Sequence, residues 1–186
     1  MSQLVLVKHS LPRIEPGKPA SEWILSGAGR KRCFELAERL TQYMPQNVIS
    51  SSEPKARQTA AILSRRLGPR HEVIEGLHEH ERRSVPIVSQ EEYRAAAASL
   101  FQNPEDLVFG EETALQAGER FSLALNPVLE ASNGTTVIVS HGTVISLFVA
   151  KHNPLDPLVL WKQLGLPSYL VLSRPDLQLL DVVTEV

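Results

Sequence analysis

Short unbroken apolar runs alternate along the chain with amphipathic stretches, the pattern of buried strands interleaved with surface helices. The first run, Leu4-Val5-Leu6-Val7, predicts a buried strand from Gln3 to Val7. A loop carrying Pro12, Pro16-Gly17 and Pro19 follows. Ser26 is then a natural cap for a helix with apolar positions at Cys33, Phe34, Leu36, Ala37, Leu40, Tyr43 and Met44. Asn47 to Ser50 reads as a short strand. A second helix begins near Pro54, where proline suits the first turn, and carries Ala56, Ala60, Leu63 and Leu67 at helical spacing until Gly68-Pro69 stops it.

Glu72 to Ile74 predicts a third strand, and the polar segment from Gly76 to about Gln90 a surface loop. Helices are expected over Gln90 to Phe101 and from Thr113 towards Ser132, the second bent or interrupted at Asn126-Pro127. After a turn at Asn133-Gly134, the most apolar strand, Thr136 to Val139, runs through Ser140-His141-Gly142 into a helix ending near His152. Strands near Tyr169 to Leu172 and Leu177 to Val183 close the chain. Such alternation implies an α/β sandwich. With 186 residues and no internal repeat, low-complexity tract or linker, a single domain over 1–186 is expected.

A net charge of -2 and a pI near 6.3 argue against a general nucleic-acid or membrane-surface binder, leaving a small molecule as the expected partner. Cys33 is the only cysteine, which rules out an intramolecular disulfide, and its apolar neighbours predict a buried thiol. No charged-then-apolar leader opens the sequence and no apolar run approaches the ~18 residues of a membrane span, so a soluble, cytoplasmic protein is expected.

His9 and His141 occupy matching places, each just after an apolar strand. The carboxyl ends of strands in α/β sheets are where ligands collect, so these imidazoles can converge from distant sequence. The run His78-Glu79-His80-Glu81 raises a metal alternative, because an extended segment puts His78 and His80 on one face, where His9 or His141 could complete a divalent site.

Four ordered motifs resemble the histidine phosphatase superfamily, the phosphoglycerate mutase-like branch 1. That family's strand followed by R-H-G is matched in part by Lys8-His9-Ser10. Its S-S-P-x-x-R-A-x-Q-T-A segment is similar to Ser50 through Ala60, with Lys55 in place of the arginine. Its L-x-E resembles Leu77-His78-Glu79, and its strand ending in S-H-G is matched in full by Val137 through Gly142. Leu25-Ser26 with Gly29, and Glu112-Thr113 leading to Arg120, echo two smaller signatures.

The resemblance implies a three-layer α/β/α sandwich with a mostly parallel sheet and no metal or other cofactor. It also implies roles: His9 as the nucleophile that forms a phosphohistidine, His141 as donor to a phosphoryl oxygen, and Glu79 as the acid that protonates the leaving oxygen and then activates water, with Glu81 as the other candidate. Lys8, Ser10, Lys55 and Gly142 would line the phosphate pocket. Acid duty for Glu79 calls for a raised pKa beside a dianionic substrate.

Lysines at 8 and 55 keep the charge of the family's arginines but lose their planar forks. Arg57 is no substitute, since helical spacing turns it about 200° from Lys55. Arg82 and Arg83 read as a solvated pair, with contact to an anionic substrate as the alternative. The extra substrate-binding residues of the family's mutases have no counterpart in Ser10-Leu11-Pro12-Arg13, so a phosphatase acting on a small phosphorylated metabolite is expected. The rival reading is a phospho-ligand binding protein that has lost catalysis. Neither substrate identity nor oligomeric state is written in these motifs.

Overall fold

The apolar runs become strands because both faces of the sheet are covered. The computed structural model describes residues 2–85, 89–131 and 134–186. Strands β1 (Gln3–Lys8), β2 (Asn47–Ser50), β3 (His71–Val73), β4 (Thr136–Ser140), β5 (Ser168–Ser173) and β6 (Leu179–Val183) form one sheet in the order β3-β2-β4-β1-β5-β6. β1, β2, β3 and β4 are mutually parallel, whereas β5 runs antiparallel to β1 and β6 antiparallel to β5.

Period-two alternation divides the core. Leu4, Leu6, Ile138, Leu170 and Leu172 face helices α4 (Ala114–Ala131), α5 (Gly142–His152) and α6 (Pro157–Gln163), where Phe121 and Phe148 pack edge to face at 5.6 Å. Val5, Val7, Val137, Val139 and Val171 face α1 (Gly27–Leu40) and α2 (Pro54–Leu67), against Leu36, Leu40 and Leu63. Each such side chain, fully buried, contributes about 1.5–3 kcal/mol. The result is the α/β/α layering that the alternation implied, with α3 (Gln90–Gln102) beside α6. Among the described residues no helix is long and apolar enough to cross a membrane.

Several local expectations change. The helix capped by Ser26 ends at Leu40 and gives way to a tight turn over Thr41–Tyr43, leaving Met44 in a left-handed conformation and exposed. Phe34 lies one helical step off the Cys33 and Leu36 stripe and is exposed, with the Arg66 guanidinium 4.7 Å over its ring. Cys33 itself is buried. β3 begins one residue earlier than expected, and α4 continues through Pro127 without interruption. The segment from Gly76 is no plain surface loop, because Leu77 and His80 are buried. The expected turn at Asn133-Gly134 lies partly outside the described residues.

Helix α6 has no counterpart among the expected elements, although its signal is local. Asp156 caps it by accepting from Leu158 N–H and Val159 N–H at 2.7 and 3.2 Å, and Pro157 fills the first position.

The loop after β1 is fastened to α1 by a dense knot. Ser26 donates both its N–H and its hydroxyl to the Leu11 carbonyl, each at 3.0 Å, and that hydroxyl accepts from Gly29 N–H at 2.9 Å. A Cβ on Gly29 would stand 2.1 Å from the Leu11 oxygen, whereas one on Gly27 meets nothing within 4 Å. In urea denaturation Gly29→Ala is expected to lose at least about 1–3 kcal/mol, while Gly27→Ala is neutral or gains up to about 1 kcal/mol.

Candidate active site

The carboxyl ends of β1 and β4 mark the point where the chain's crossovers diverge, with α1 leaving towards β2 on one face and α5 towards β5 on the other. In the β1–β4 ladder Lys8 pairs with Ser140, and His9 N–H donates to the Ser140 carbonyl at 3.0 Å. The next residue of each strand is therefore a histidine at the same level. Their ring centroids are 5.2 Å apart, edge to face.

Both tautomers follow from the hydrogen bonds. His9 Nδ1 lies 2.8 Å from the Ser10 carbonyl, which only accepts, so Nδ1 carries the proton and Nε2 keeps its lone pair. His141 Nε2 lies 2.8 Å from Ser51 Oγ, and that oxygen already accepts from Glu53 N–H at 3.2 Å. Ser51 is fully buried and His141 Nε2 is the only acceptor for its hydroxyl among the described residues, so the hydroxyl donates to Nε2 and neutral His141 holds its proton on Nδ1, which is buried without a partner among the described residues. Burial first, and the Lys55 charge second, hold both imidazoles well below their ordinary pKa. Both rings are neutral at pH 7.

Glu79 sits where its loop is clamped from behind. Arg120 forks onto Glu112, with Nη2 2.5 Å from Oε1 and Nε 3.1 Å from Oε2, and donates to the carbonyls of Gly76, His78 and Glu79 at 2.7, 3.0 and 3.2 Å. Ser140 Oγ adds a 2.7 Å bond to the Leu77 carbonyl. Thus held, the Glu79 carboxylate accepts from His80 N–H at 2.9 Å and from Thr143 N–H, in the first turn of α5, at 3.2 Å. Burial pushes this carboxyl up, but the Arg82 charge and the His80 N–H outweigh it, so the protein alone leaves Glu79 below the usual carboxylate range. The raised value expected for an acid is absent without a substrate charge. Glu81 turns instead to His78 Nε2 at 3.1 Å.

Both lysines are engaged by the protein itself. Lys8 donates to the Leu164 carbonyl at 2.7 Å; burial brings it down to about 8, against the pull of Glu79. Lys55 donates to the Ala20 carbonyl at 2.7 Å and is paired with Glu53, a buried carboxylate that sequence reading passed over. Glu53 also accepts from Glu79 N–H at 2.9 Å and stands 3.7 Å from His141 Nε2. The Ser10 hydroxyl donates to the Gly29 carbonyl at 2.8 Å, because the loop is pinned to α1, so in this structure it ties the loop to the helix. At Gly142 a Cβ would meet Lys8 Cε at 3.2 Å and Trp161 at 3.3 Å, so the start of α5 packs closely on both.

Arg82 and Arg83 part company. Arg83 is exposed, while the Arg82 guanidinium lies 4.8 Å over the Tyr93 ring, with its Nη1 buried. A cleft of about 280 Å³ opens here, walled by Glu53, Lys55, Glu79 and Arg82 among others. His9, 7% exposed, and His141, fully buried, are not on its walls, and Glu53 reaches from the cleft towards His141. His78 and His80 go to separate partners, Glu81 and the Glu112 carbonyl. No group of three or more His, Cys, Asp or Glu among the described residues is arranged to hold a metal ion.

A parallel-centred sheet between helical layers, with paired histidines at its switch point, is the phosphoglycerate mutase-like fold. The chain belongs to the histidine phosphatase superfamily, branch 1, whose family model matches residues 17–174. That match begins after Lys8-His9-Ser10, the motif that departs most from the family pattern. No curated protein sequence matches significantly. Among solved structures, a mycobacterial glucosyl-3-phosphoglycerate phosphatase is similar at 20% identity and TM-score 0.79, covering 100% of this chain and 99% of that one. A phosphoserine phosphatase from Entamoeba histolytica is similar at 18% identity and TM-score 0.77, covering 99% and 98%. Bacillus stearothermophilus YhfR is similar at 20% identity and TM-score 0.76, covering 100% and 98%. At these identities the likeness establishes the fold alone.

The neutral histidines make stability depend on pH. Their folded pKa values lie below those of the unfolded chain, so between about 6.5 and the lower folded values the unfolded state binds more protons and stability falls with acidification. Unfolding free energy measured from pH 7.5 to 5.5 is expected to drop by up to about 1.4 kcal/mol per pH unit for each histidine once below its unfolded pKa. His141→Asn is expected to flatten that slope.

Proposed function

We propose that this protein is a phosphoric monoester hydrolase that accepts the phosphoryl group of a small phosphorylated metabolite onto His9 Nε2 and passes it to water. The observation that carries the reading is the state of His9: neutral, its Nδ1–H tied to the Ser10 carbonyl at 2.8 Å, and its other nitrogen left with a lone pair beside His141. The phosphatases among the structural neighbours support the reaction class, and their names, a glucosyl-phosphoglycerate and a phosphoserine, illustrate the size of substrate.

In the first half-reaction Nε2 forms a bond to phosphorus while the ester oxygen leaves. His141 Nδ1–H donates to a non-bridging oxygen as charge gathers there, and Lys8 and Lys55 supply positive potential. Glu79 needs a proton at that moment. A dianionic phosphoryl group beside it raises its pKa by like-charge repulsion, so the substrate itself loads the acid that the protein alone keeps ionised. Having protonated the leaving oxygen, the carboxylate takes a proton from water as that water attacks the phosphohistidine. Inorganic phosphate and free His9 result, and both steps use side chains only.

The Lys55–Glu53 pair is the observation that favours the rival, a binding protein without turnover. A carboxylate on that ammonium competes with a phosphate for it. Hydrolysis of an aryl phosphate between about pH 5 and 8, with acid-labile label retained on wild-type protein and absent from His9→Ala, supports the enzyme; equal release by both favours binding only. Because the Lys8 ammonium titrates at about 8, kcat/KM is expected to fall above that pH as its charge is lost. In Lys8→Arg this alkaline limb is expected to move up beyond the accessible range, since a guanidinium stays charged.

A further inference from the structure

Arg82 has no counterpart in the motifs, and its surroundings set it apart from a surface arginine. The guanidinium lies 4.8 Å over the Tyr93 ring. Tyr93 is itself bracketed by Trp161 and Phe109, with centroids at 5.9 and 6.5 Å, and Trp161 backs Gly142 at the start of α5. This aromatic wall fixes a long side chain that would otherwise lose rotamer freedom on binding. Its charge acts on Glu79 and on His141.

Two donors in this neighbourhood are buried and have no hydrogen-bond partner among the described residues: Arg82 Nη1 and His141 Nδ1. A buried guanidinium N–H left without an acceptor is costly, and native proteins keep such groups where a ligand supplies one. The expected phosphate cations are otherwise engaged, Lys8 with the Leu164 carbonyl and Lys55 with Glu53 and the Ala20 carbonyl. Neither lysine offers a planar fork.

Resting on the phosphatase reading, we propose that Arg82 is a ligand of the phosphoryl group, supplying from the acidic loop the guanidinium that positions 8 and 55 lack. Its Nη1 and the His141 Nδ1–H grip the non-bridging oxygens together. On binding, the phosphoryl dianion shares with Glu79 the positive charge of Arg82, which ties phosphate capture to protonation of the acid.

The test is calorimetric titration with inorganic phosphate of wild type, Arg82→Gln and Arg82→Lys, each checked for folding by circular dichroism, with aryl phosphate turnover scored separately. Arg82→Gln is expected to weaken phosphate about tenfold or more. Arg82→Lys, which keeps charge and loses the fork, is expected to recover only part of that loss. If Arg82→Gln does not fold, Arg82→Lys alone decides, and affinity equal to wild type overturns the proposal. Turnover by wild type with phosphate affinity unchanged in both variants overturns the role of Arg82 and leaves the phosphatase reading standing. Arg82-dependent phosphate binding without turnover supports the role and overturns that reading. Wild type that binds no phosphate overturns both.

Discussion

Everything at this site depends on the pairing of β1 with β4. Because the ladder sets Lys8 opposite Ser140, His9 and His141 emerge side by side at one level of the sheet although 132 positions apart in sequence. A slip of one residue would turn every side chain of the strand to the opposite face. Such a slip would exchange Leu4 and Leu6 with Val5 and Val7 between two differently shaped cores, so the packing that stabilises the fold also enforces the register that builds the site. Stability and geometry rest on the same contacts.

Burial then decides the protonation pattern. Two imidazoles, Lys8, Lys55, Glu53, Glu79 and Arg82 crowd one region, where desolvation penalises every charge and each charged group needs a compensating neighbour. The histidines, flanked by cations, meet the penalty by staying neutral. Glu79 remains ionised because Arg82, the His80 N–H and the first turn of α5 face it. The outcome is an unprotonated His9 Nε2 and a Glu79 carboxylate that a second negative charge would protonate, the states that the proposed phosphoryl transfer needs.

The sequence was most legible where chemistry is local. Strand runs, the Ser26 and Pro54 helix starts, and the strand-end histidines follow from period, capping and punctuation, and the structure puts them where those signals point. What escaped depends on which way a side chain turns. Ser10 occupies a motif position, but the knot that holds the loop to α1 takes its hydroxyl. Glu53 and Arg82 look like ordinary charged loop residues, and only tertiary packing reveals one against Lys55 and the other over Tyr93. Helix α6 is seven residues long, too short to show a period, yet it brings the segment that supplies the Leu164 carbonyl to Lys8.

The central claim is that His9 is a neutral imidazole with its proton on Nδ1 and a lone pair on Nε2, beside an equally neutral His141. Nitrogen-15 NMR of the imidazoles in the intact protein reads protonation and tautomer directly. The account predicts, at pH 6.5, two neutral rings, both of the Nδ1–H form, with titration well below that pH. A charged His9 at pH 6.5, or a proton resident on its Nε2, would contradict it.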